Sequence, residues 1–180
     1  MSPPVIESER LLMRPLRVDD AEAMHAVYGD DEAMRWWSHA PHASLKETRE
    51  RLAKNTTTPD WRAWAITRKG DGADEDRAIG MLAAHEKRQG RVVEIGYSLA
   101  RAHWGKGYAR EAVSRLLDLL FREEGNRRVF ADTDPENAAS NRLLERLGFV
   151  REGHLRGEWE THLGVRDSFI WGLLADEWVR

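Results

Sequence analysis

A short glycine-rich turn, Trp104-Gly-Lys-Gly-Tyr-Ala109, has the composition of a site for a charged ligand. Its glycines let the backbone approach a bulky anion and adopt unusual dihedral angles. The apolar periodicity that follows predicts a helix from about Lys106 to Arg122, whose first N–H groups have no partner within the helix. Such amides favour phosphate groups, to which Lys106, Arg101 and Arg110 could add positive charge. The turn matches neither a P-loop nor a dinucleotide fingerprint, and a purely structural turn is an equal alternative.

The remaining pattern predicts a mixed α/β fold that places this turn between a strand and a helix. Strands are predicted at residues 10–16, 61–67, 78–85, 92–99, 128–133, near 149 and at 167–174, with connecting turns at 69–76 and 88–90. Helices are predicted to begin near Asp19, where an aspartate could cap the helix, and near Asp30, Ser44 and Asn137. In the strand at 92–99, Glu94 and Ser98 share one face, and Tyr97 and Leu99 share the other.

Composition excludes several other classes of protein. The 180-residue length favours one domain, residues 1–180, and the net charge of −3 argues against a dedicated nucleic-acid binder. The absence of cysteine excludes a disulfide framework, a cysteine nucleophile and a thiolate zinc site. His85, His154 and His162 lack metal-ligand spacing, so no metal site is expected. No signal peptide and no membrane-spanning stretch is found, so we expect a cytoplasmic protein without a membrane partner.

The glycine-rich turn resembles the pyrophosphate-binding motif of the GNAT acetyltransferases, Gln/Arg-x-x-Gly-x-Gly/Ala. Trp104 stands where glutamine or arginine is usual, a replacement often found in the branch that resembles ribosomal-protein N-terminal (alanine/serine) acetyltransferases. Other segments similar to that branch follow in order across nearly the whole chain. They are Glu9–Leu16, Asp31–Trp36, Glu94–Tyr97, Asn137–Asn141, Leu147–Phe149 and Leu173–Trp178. Each segment is weak evidence alone, whereas the ordered set is specific.

The resemblance implies a GNAT fold, a mostly antiparallel sheet of about seven strands with helices on both faces and a splayed central strand pair. It also implies that acetyl-CoA is the co-substrate and lies in that opening, with its pantetheine arm on the backbone of one strand and its pyrophosphate on the glycine-rich turn. Family members commonly form dimers, so a homodimer is compatible with the sequence. The implied cofactor-binding residues are Tyr97, Ser98, Leu99, Trp104, Gly105, Lys106, Gly107, Tyr108, Ala109, Asn137 and Asn141.

Acetyl transfer to an amine needs a base, a polarised carbonyl group and a proton for the departing thiolate. Glu94 is the predicted base, directly or through water, although a solvated carboxylate or an arginine partner is the alternative. Many family members use a tyrosine shortly before Leu-Gly-Phe as the proton donor, where this chain has Leu144. The branch resemblance implies Ser140 instead. A serine is a poor acid, but a thiolate with a pKa near 8.5 needs only a weak proton donor. Local capping is the alternative role for Ser140.

Three tryptophans, Trp36, Trp37 and Trp159, are candidates for the acceptor site. Adjacent residues of a helical segment point in different directions, so one of the first two is expected in the core. The predicted acceptor is the amine of a protein or peptide N-terminus, and a small amine such as an aminoacyl compound or an antibiotic is the alternative. A flat cleft would favour the first and a closed aromatic pocket the second. A non-catalytic acyl-CoA sensor and a nucleotide-binding protein remain as rivals of other classes.

Overall fold

The computed structural model describes residues 2–70, 72–88 and 90–179, with the backbone alone for Lys87 and Arg88. Met1, Asp71, Gln89 and Arg180 lie outside the described residues. The predicted turns at 69–76 and 88–90 are therefore described only in part.

Eight strands within the described residues form one sheet in the order β1-β2-β3-β4-β5-β6-β8-β7. Seven of them correspond to predicted strands, and the additional strand β1 has two residues, too few to give a periodic signal. Only the β5–β6 pair is parallel among the described strands, because α4 crosses over between them. The strands are β1 (Ile6–Glu7), β2 (Leu11–Pro15), β3 (Trp61–Arg68), β4 (Gly80–Arg88), β5 (Val92–Leu99), β6 (Arg128–Thr133), β7 (Val150–Thr161) and β8 (Gly164–Leu174).

The α-helices of the described chain are α1 (Ala21–Tyr28), α2 (Asp31–Met34), α3 (Leu45–Thr57), α4 (Tyr108–Asp118) and α5 (Ala138–Arg146), and a π-helical segment, Leu119–Glu123, continues α4. The predicted cap of α3 is present, since Ser44 Oγ accepts from the N–H of Glu47, but the Glu47 carboxylate accepts from the N–H of Ala43 and not from that of Ser44, so the box is not reciprocal. The predicted aspartate cap of α1 is wrong. The side chain of Asp20 at the N-cap position makes no capping bond and instead pairs with the Arg14 guanidinium, 2.6 Å away.

Two apolar clusters cover opposite faces of the sheet. On one face, α4 and α5 bury residues such as Val113 and Leu144 against Ile95 of β5. On the other face, α1 and α3 bury residues such as Met24 and Leu52 against β4. Alternation along β5 therefore directs Tyr97 toward the α4–α5 face and Glu94 toward the α1–α3 face.

The central strands β5 and β6 separate from each other. Their ladder ends where Glu94 lies opposite Phe130. Beyond that point β5 continues along β4 to Leu99, and β6 continues along β8 to Thr133. Among the described residues, the facing edges of the two strands form no further ladder. The predicted splayed central pair is therefore confirmed, and it leaves an opening within the sheet.

Candidate active site

The glycine-rich turn follows β5 and leads into α4. Gly105 and Gly107 have φ angles of +72° and +81°, in the left-handed region that glycine adopts without strain. Among the described residues, no acceptor is bonded to the backbone N–H groups from Gly105 to Arg110, and the first bond of the helix runs from Glu111 N to Gly107 O. A Cβ atom built on Gly105 would meet nothing within 4 Å. Free amides in an open cradle at a helix N-terminus fit a diphosphate group.

Arg10, at the start of β2, supports this turn from the side. Its Nη1 donates to the carbonyl oxygen of Lys106 at 3.1 Å, and its guanidinium lies 4.7 Å from the centroid of the Tyr108 ring. It also forms an ion pair with Glu111. Sequence reasoning included Arg10 in the segment Glu9–Leu16 but gave it no role at the turn, because it precedes Lys106 by 96 positions. Of the basic residues predicted to add positive charge to the turn, Arg101 forms an ion pair with Asp30, with 2.8 Å between the charged groups.

Trp104 closes the turn against the end of β5, since its indole N–H donates to the carbonyl oxygen of Leu99 at 2.8 Å. The N–H of Ala100 donates to the carbonyl oxygen of Ile79, the residue just before β4, so the backbone groups of Ala100 face β4. The backbone groups of successive residues in a strand point to opposite sides. The backbone of Leu99 and Tyr97 therefore faces the opening. The same alternation turns the carbonyl group of Ser98 toward β4. The pairing with a pantetheine arm that was predicted for Tyr97, Ser98 and Leu99 stays a prediction, and the backbone groups that face the opening are those of Tyr97 and Leu99.

A hydrogen bond crosses between β5 and α5. The hydroxyl oxygens of Tyr97 and Ser140 lie 2.6 Å apart, although the residues are 43 positions apart in sequence. Burial raises the pKa of Tyr97 to about 12, and the hydrogen bond to Ser140 offsets this effect only in part. The phenol of Tyr97 is therefore protonated at neutral pH and available as a donor.

The first turn of α5 is fixed independently of that bond. Asn137 caps the helix, since its side-chain oxygen accepts from the N–H of Ser140 at 3.2 Å. Asn141 accepts from the hydroxyl of Thr133 at 2.6 Å, and Thr133 in turn accepts from the indole of Trp171. Asn141 is therefore turned toward β6. Local capping, the alternative role for Ser140, is carried out by Asn137 instead.

Glu94 is half-buried at the point where β5 and β6 separate. It lies on the α1–α3 face, the face opposite the Tyr97 side chain. Across the ladder its neighbour on β4 is His85, whose ring contacts Trp61 with the ring centroids 5.5 Å apart. Sequence reasoning gave His85 no role, because only the strand register places it beside Glu94. A carboxylate in this position can accept a proton from an amine that approaches from the α1–α3 face.

An acidic and aromatic wall lies beyond Glu94 on the same face of the sheet. Asp132 of β6 accepts from the indole N–H of Trp159 at 2.9 Å and from the hydroxyl of Ser168. Trp36 lies toward β8, with the guanidinium of Arg166 5.7 Å from its ring centroid. Trp37, in contrast, packs against the apolar cluster of α1 and α3. All three candidate tryptophans thus lie on the α1–α3 side of the sheet, Trp36 and Trp159 at the acidic wall and Trp37 in the apolar cluster.

Neither a metal centre nor a membrane span is evident in the described part of the chain. No three or more histidine, aspartate or glutamate side chains converge there in a way that could hold a metal ion. No helix there is long and apolar enough to cross a bilayer.

Comparison with known proteins identifies the family. Residues 10–150 match the acetyltransferase (GNAT) domain. The chain is 31% identical to the uncharacterised N-acetyltransferase p20 of Bacillus licheniformis, over 96% of this chain and 97% of p20. It is 28% identical to YdaF of Bacillus subtilis, named as a candidate ribosomal N-acetyltransferase, over 95% and 94% of the two chains.

A solved structure agrees with these relatives. The spermidine N-acetyltransferase of Vibrio cholerae, in complex with CoA and spermine, superposes with a TM-score of 0.80 and 25% identity, over 94% of this chain and 98% of that one. The opening between β5 and β6 and the free amides from Gly105 to Arg110 thus occur in a chain whose sequence and fold both match proteins named as N-acetyltransferases. The chain belongs to the GNAT family of N-acetyltransferases, which transfer the acetyl group of acetyl-CoA to an amine.

Proposed function

We propose that this protein acetylates the N-terminal amine of a protein or peptide, with residues 1–180 acting as one domain. The observation that carries the proposal is the opening between β5 and β6, bordered by free amides after Gly105 and by the carboxylate of Glu94. The diphosphate of acetyl-CoA would bind the amides of the turn. Its pantetheine arm would add to the edge of β5 that faces the opening, at the backbone of Tyr97 and the N–H of Leu99, as a peptide adds to a sheet edge; the Leu99 carbonyl oxygen already accepts from Trp104.

The residues around the opening supply the steps of acetyl transfer. Glu94 accepts a proton from the acceptor amine, directly or through water, and the neutral amine attacks the thioester carbonyl. The backbone N–H of Tyr97, which faces the opening, polarises the carbonyl oxygen. As the carbon–sulfur bond breaks, the thiolate takes a proton from the hydroxyl of Ser140. The products are an amide and free coenzyme A.

The basicity of the acceptor favours an α-amine. An α-amine has a pKa of about 7.7–8.0 and is therefore neutral in a sizeable fraction of molecules near pH 7. A lysine amine, with a pKa near 10.4, is neutral in under about 0.1% of molecules at that pH. A carboxylate such as Glu94 is a weak base, so it suits the acceptor that needs less help. The relative YdaF is named as a candidate ribosomal N-acetyltransferase, in keeping with a protein acceptor.

A small cationic amine is the second candidate acceptor, and the wall around Asp132 favours it. Asp132 accepts from the neutral donors Trp159 and Ser168, and no cationic partner of it is seen among the described residues. A carboxylate beside an indole is suited to an ammonium group, because the face of an indole attracts cations. The Vibrio cholerae spermidine enzyme is a relative of this second kind by name.

A thiol-release assay with acetyl-CoA distinguishes these acceptors. We expect free thiol with peptides that have an unblocked first residue, and none with the same peptides acetylated at the N-terminus. If free thiol were released with spermidine or other small amines but not with peptides, the acceptor would be a small cationic amine, the second candidate. Coenzyme A binding without release for any amine would indicate a sensor. Tighter binding of ATP than of coenzyme A would indicate a nucleotide-binding protein.

A further inference from the structure

We infer that Tyr97 is a positioning residue for acetyl transfer, whose hydroxyl donates to Ser140 and directs the Ser140 proton into the opening between β5 and β6. The observation that carries this inference is the 2.6 Å contact between the two hydroxyl oxygens. It rests on the proposed function, in which Ser140 is the proton donor. The sequence suggested only a backbone role for Tyr97, so its side chain has had no assigned task.

The direction of the hydrogen bond follows from the chemistry of the two groups. A separation of 2.6 Å lies within the range of a good O–H···O bond. A phenol is a stronger acid than an aliphatic hydroxyl, so Tyr97 is the favoured donor and Ser140 the favoured acceptor. Burial keeps the phenol protonated, since it raises the pKa of Tyr97 to about 12. A serine hydroxyl has a single proton. Because Ser140 accepts from Tyr97, its own proton can be donated to the departing thiolate.

Tyr97 is also the contact that orients the Ser140 hydroxyl. The backbone N–H of Ser140 is capped by Asn137, and α5 is held to β6 through Asn141 and Thr133. These bonds fix the position of the Ser140 Cα atom but leave its side-chain torsion angle undetermined. The Tyr97 ring packs against the apolar cluster of α4 and α5, so its hydroxyl is a fixed reference point for Ser140.

The chemical step keeps Tyr97 protonated throughout. The amine nitrogen bonds to the carbonyl carbon, the carbon–sulfur bond breaks, and the sulfur takes the Ser140 proton. The negative charge that develops on Ser140 Oγ is stabilised by the Tyr97 hydroxyl, because a hydrogen bond to a charged acceptor is stronger than one to a neutral acceptor. Ser140 then regains a proton from water, and the proton lost by the amine balances the reaction. The side chain of Tyr97 therefore acts through Ser140 and not directly on the thioester, whose carbonyl oxygen is polarised by the backbone N–H of Tyr97.

A double-mutant cycle tests the inference by thiol release. Ser140→Ala should lower kcat by about 100-fold, the loss typical of a missing general acid. Tyr97→Phe should lower kcat by about tenfold and leave the KM for acetyl-CoA and the Kd for coenzyme A within twofold. The double variant should match Ser140→Ala, because Tyr97 acts only through that serine. Tyr28→Phe is the matched control, since it removes another buried phenol, bonded to Met81, and should keep wild-type kcat.

Two results would overturn the inference, namely wild-type kcat in Tyr97→Phe or multiplied losses in the double variant. Should Tyr97→Phe fail to fold, NMR of the protein with 13Cζ-labelled tyrosine decides. The chain has 3 tyrosines, so Tyr28→Phe and Tyr108→Phe assign the Tyr97 signal by elimination. Ser140→Ala must shift that signal, and an unshifted signal means that the bond is absent. A wild-type protein that releases no thiol would refute the proposed function instead.

Discussion

Replacement of Gly107 by glutamate should weaken coenzyme A binding far more than it weakens the fold. Gly107 has a φ of +81°, and a Cβ atom there would meet only Nη2 of Arg10, the far end of a flexible side chain, at 3.4 Å. The cost of a non-glycine residue in this left-handed region is about 1–2 kcal/mol. For a protein of this size, that cost lowers the melting temperature by about 2–8 °C.

The effect on binding is larger because a negative charge would stand where the diphosphate is proposed to bind. Two unit charges 4 Å apart interact by about 1 kcal/mol in water and about 4 kcal/mol at an effective dielectric constant of 20. An intermediate repulsion of about 2 kcal/mol corresponds to a Kd for coenzyme A that is roughly 30-fold higher. The difference should shrink at high salt, because an exposed turn is screened by ions.

Isothermal titration with coenzyme A measures this change, and Gly70→Glu is the matched control. Gly70 has a φ of +80°, and a Cβ atom there would meet nothing within 4 Å, but this glycine lies in the β3–β4 connection. Both variants should lose similar stability, and only Gly107→Glu should lose affinity. Gly107→Ala isolates the backbone strain from the charge. Equal affinity for coenzyme A in Gly107→Glu and Gly70→Glu at low salt would refute the reasoning.

Three further predictions follow from the same structure. Glu94→Gln should lower kcat by at least about tenfold with the Kd for coenzyme A unchanged, whereas Glu50→Gln, on the exposed surface of α3, should leave both unchanged in the thiol-release assay. Asp20→Ala removes the buried carboxylate partner of Arg14, which is only 4% exposed, and should lower the free energy of unfolding in urea by about 3 kcal/mol. The exposed change Glu22→Ala should alter it by no more than about 0.5 kcal/mol, and a loss below about 1 kcal/mol in Asp20→Ala would contradict the prediction. Burial raises the pKa of Tyr28 from 10.0 to about 12, so the native state favours the protonated phenol; the free energy of unfolding should fall as the pH rises from 10 to 12, and Tyr28→Phe should flatten that fall in thermal melts at alkaline pH.

The elements with a local signal could be predicted from the sequence. The capping signal of Ser44 and Glu47 marked the start of α3, and Gly148, with a φ of +90°, ends the chain segment that forms α5. α4 was predicted to begin at Lys106 but begins at Tyr108, because Gly107 takes the left-handed conformation and holds the N-cap position. Such a shift depends on one backbone angle, which periodicity does not report.

The contacts that build the site could not be predicted in the same way. Arg10 with Lys106, Tyr97 with Ser140 and Trp159 with Asp132 are separated by 96, 43 and 27 positions, and each pair meets only through tertiary packing. Alternation along β5 correctly put Tyr97 and Glu94 on opposite faces. It carried no information on which helix covers each face, so the hydroxyl of Tyr97 had no predicted partner.

The opening in the sheet supports the proposal that a ligand with both an amide arm and a diphosphate binds this chain. β5 keeps its ladder to β4 as far as Leu99, and β6 keeps its ladder to β8 as far as Thr133, so each strand is stable without the other. Their facing edges and the amides after Gly105 nevertheless hold backbone groups that must find partners in water or in a ligand. A nucleoside phosphate without the arm would satisfy the turn and leave the β5 edge unpaired. Coenzyme A carries complementary groups for both, and its thioester end would then point toward the place where Glu94 ends the parallel ladder.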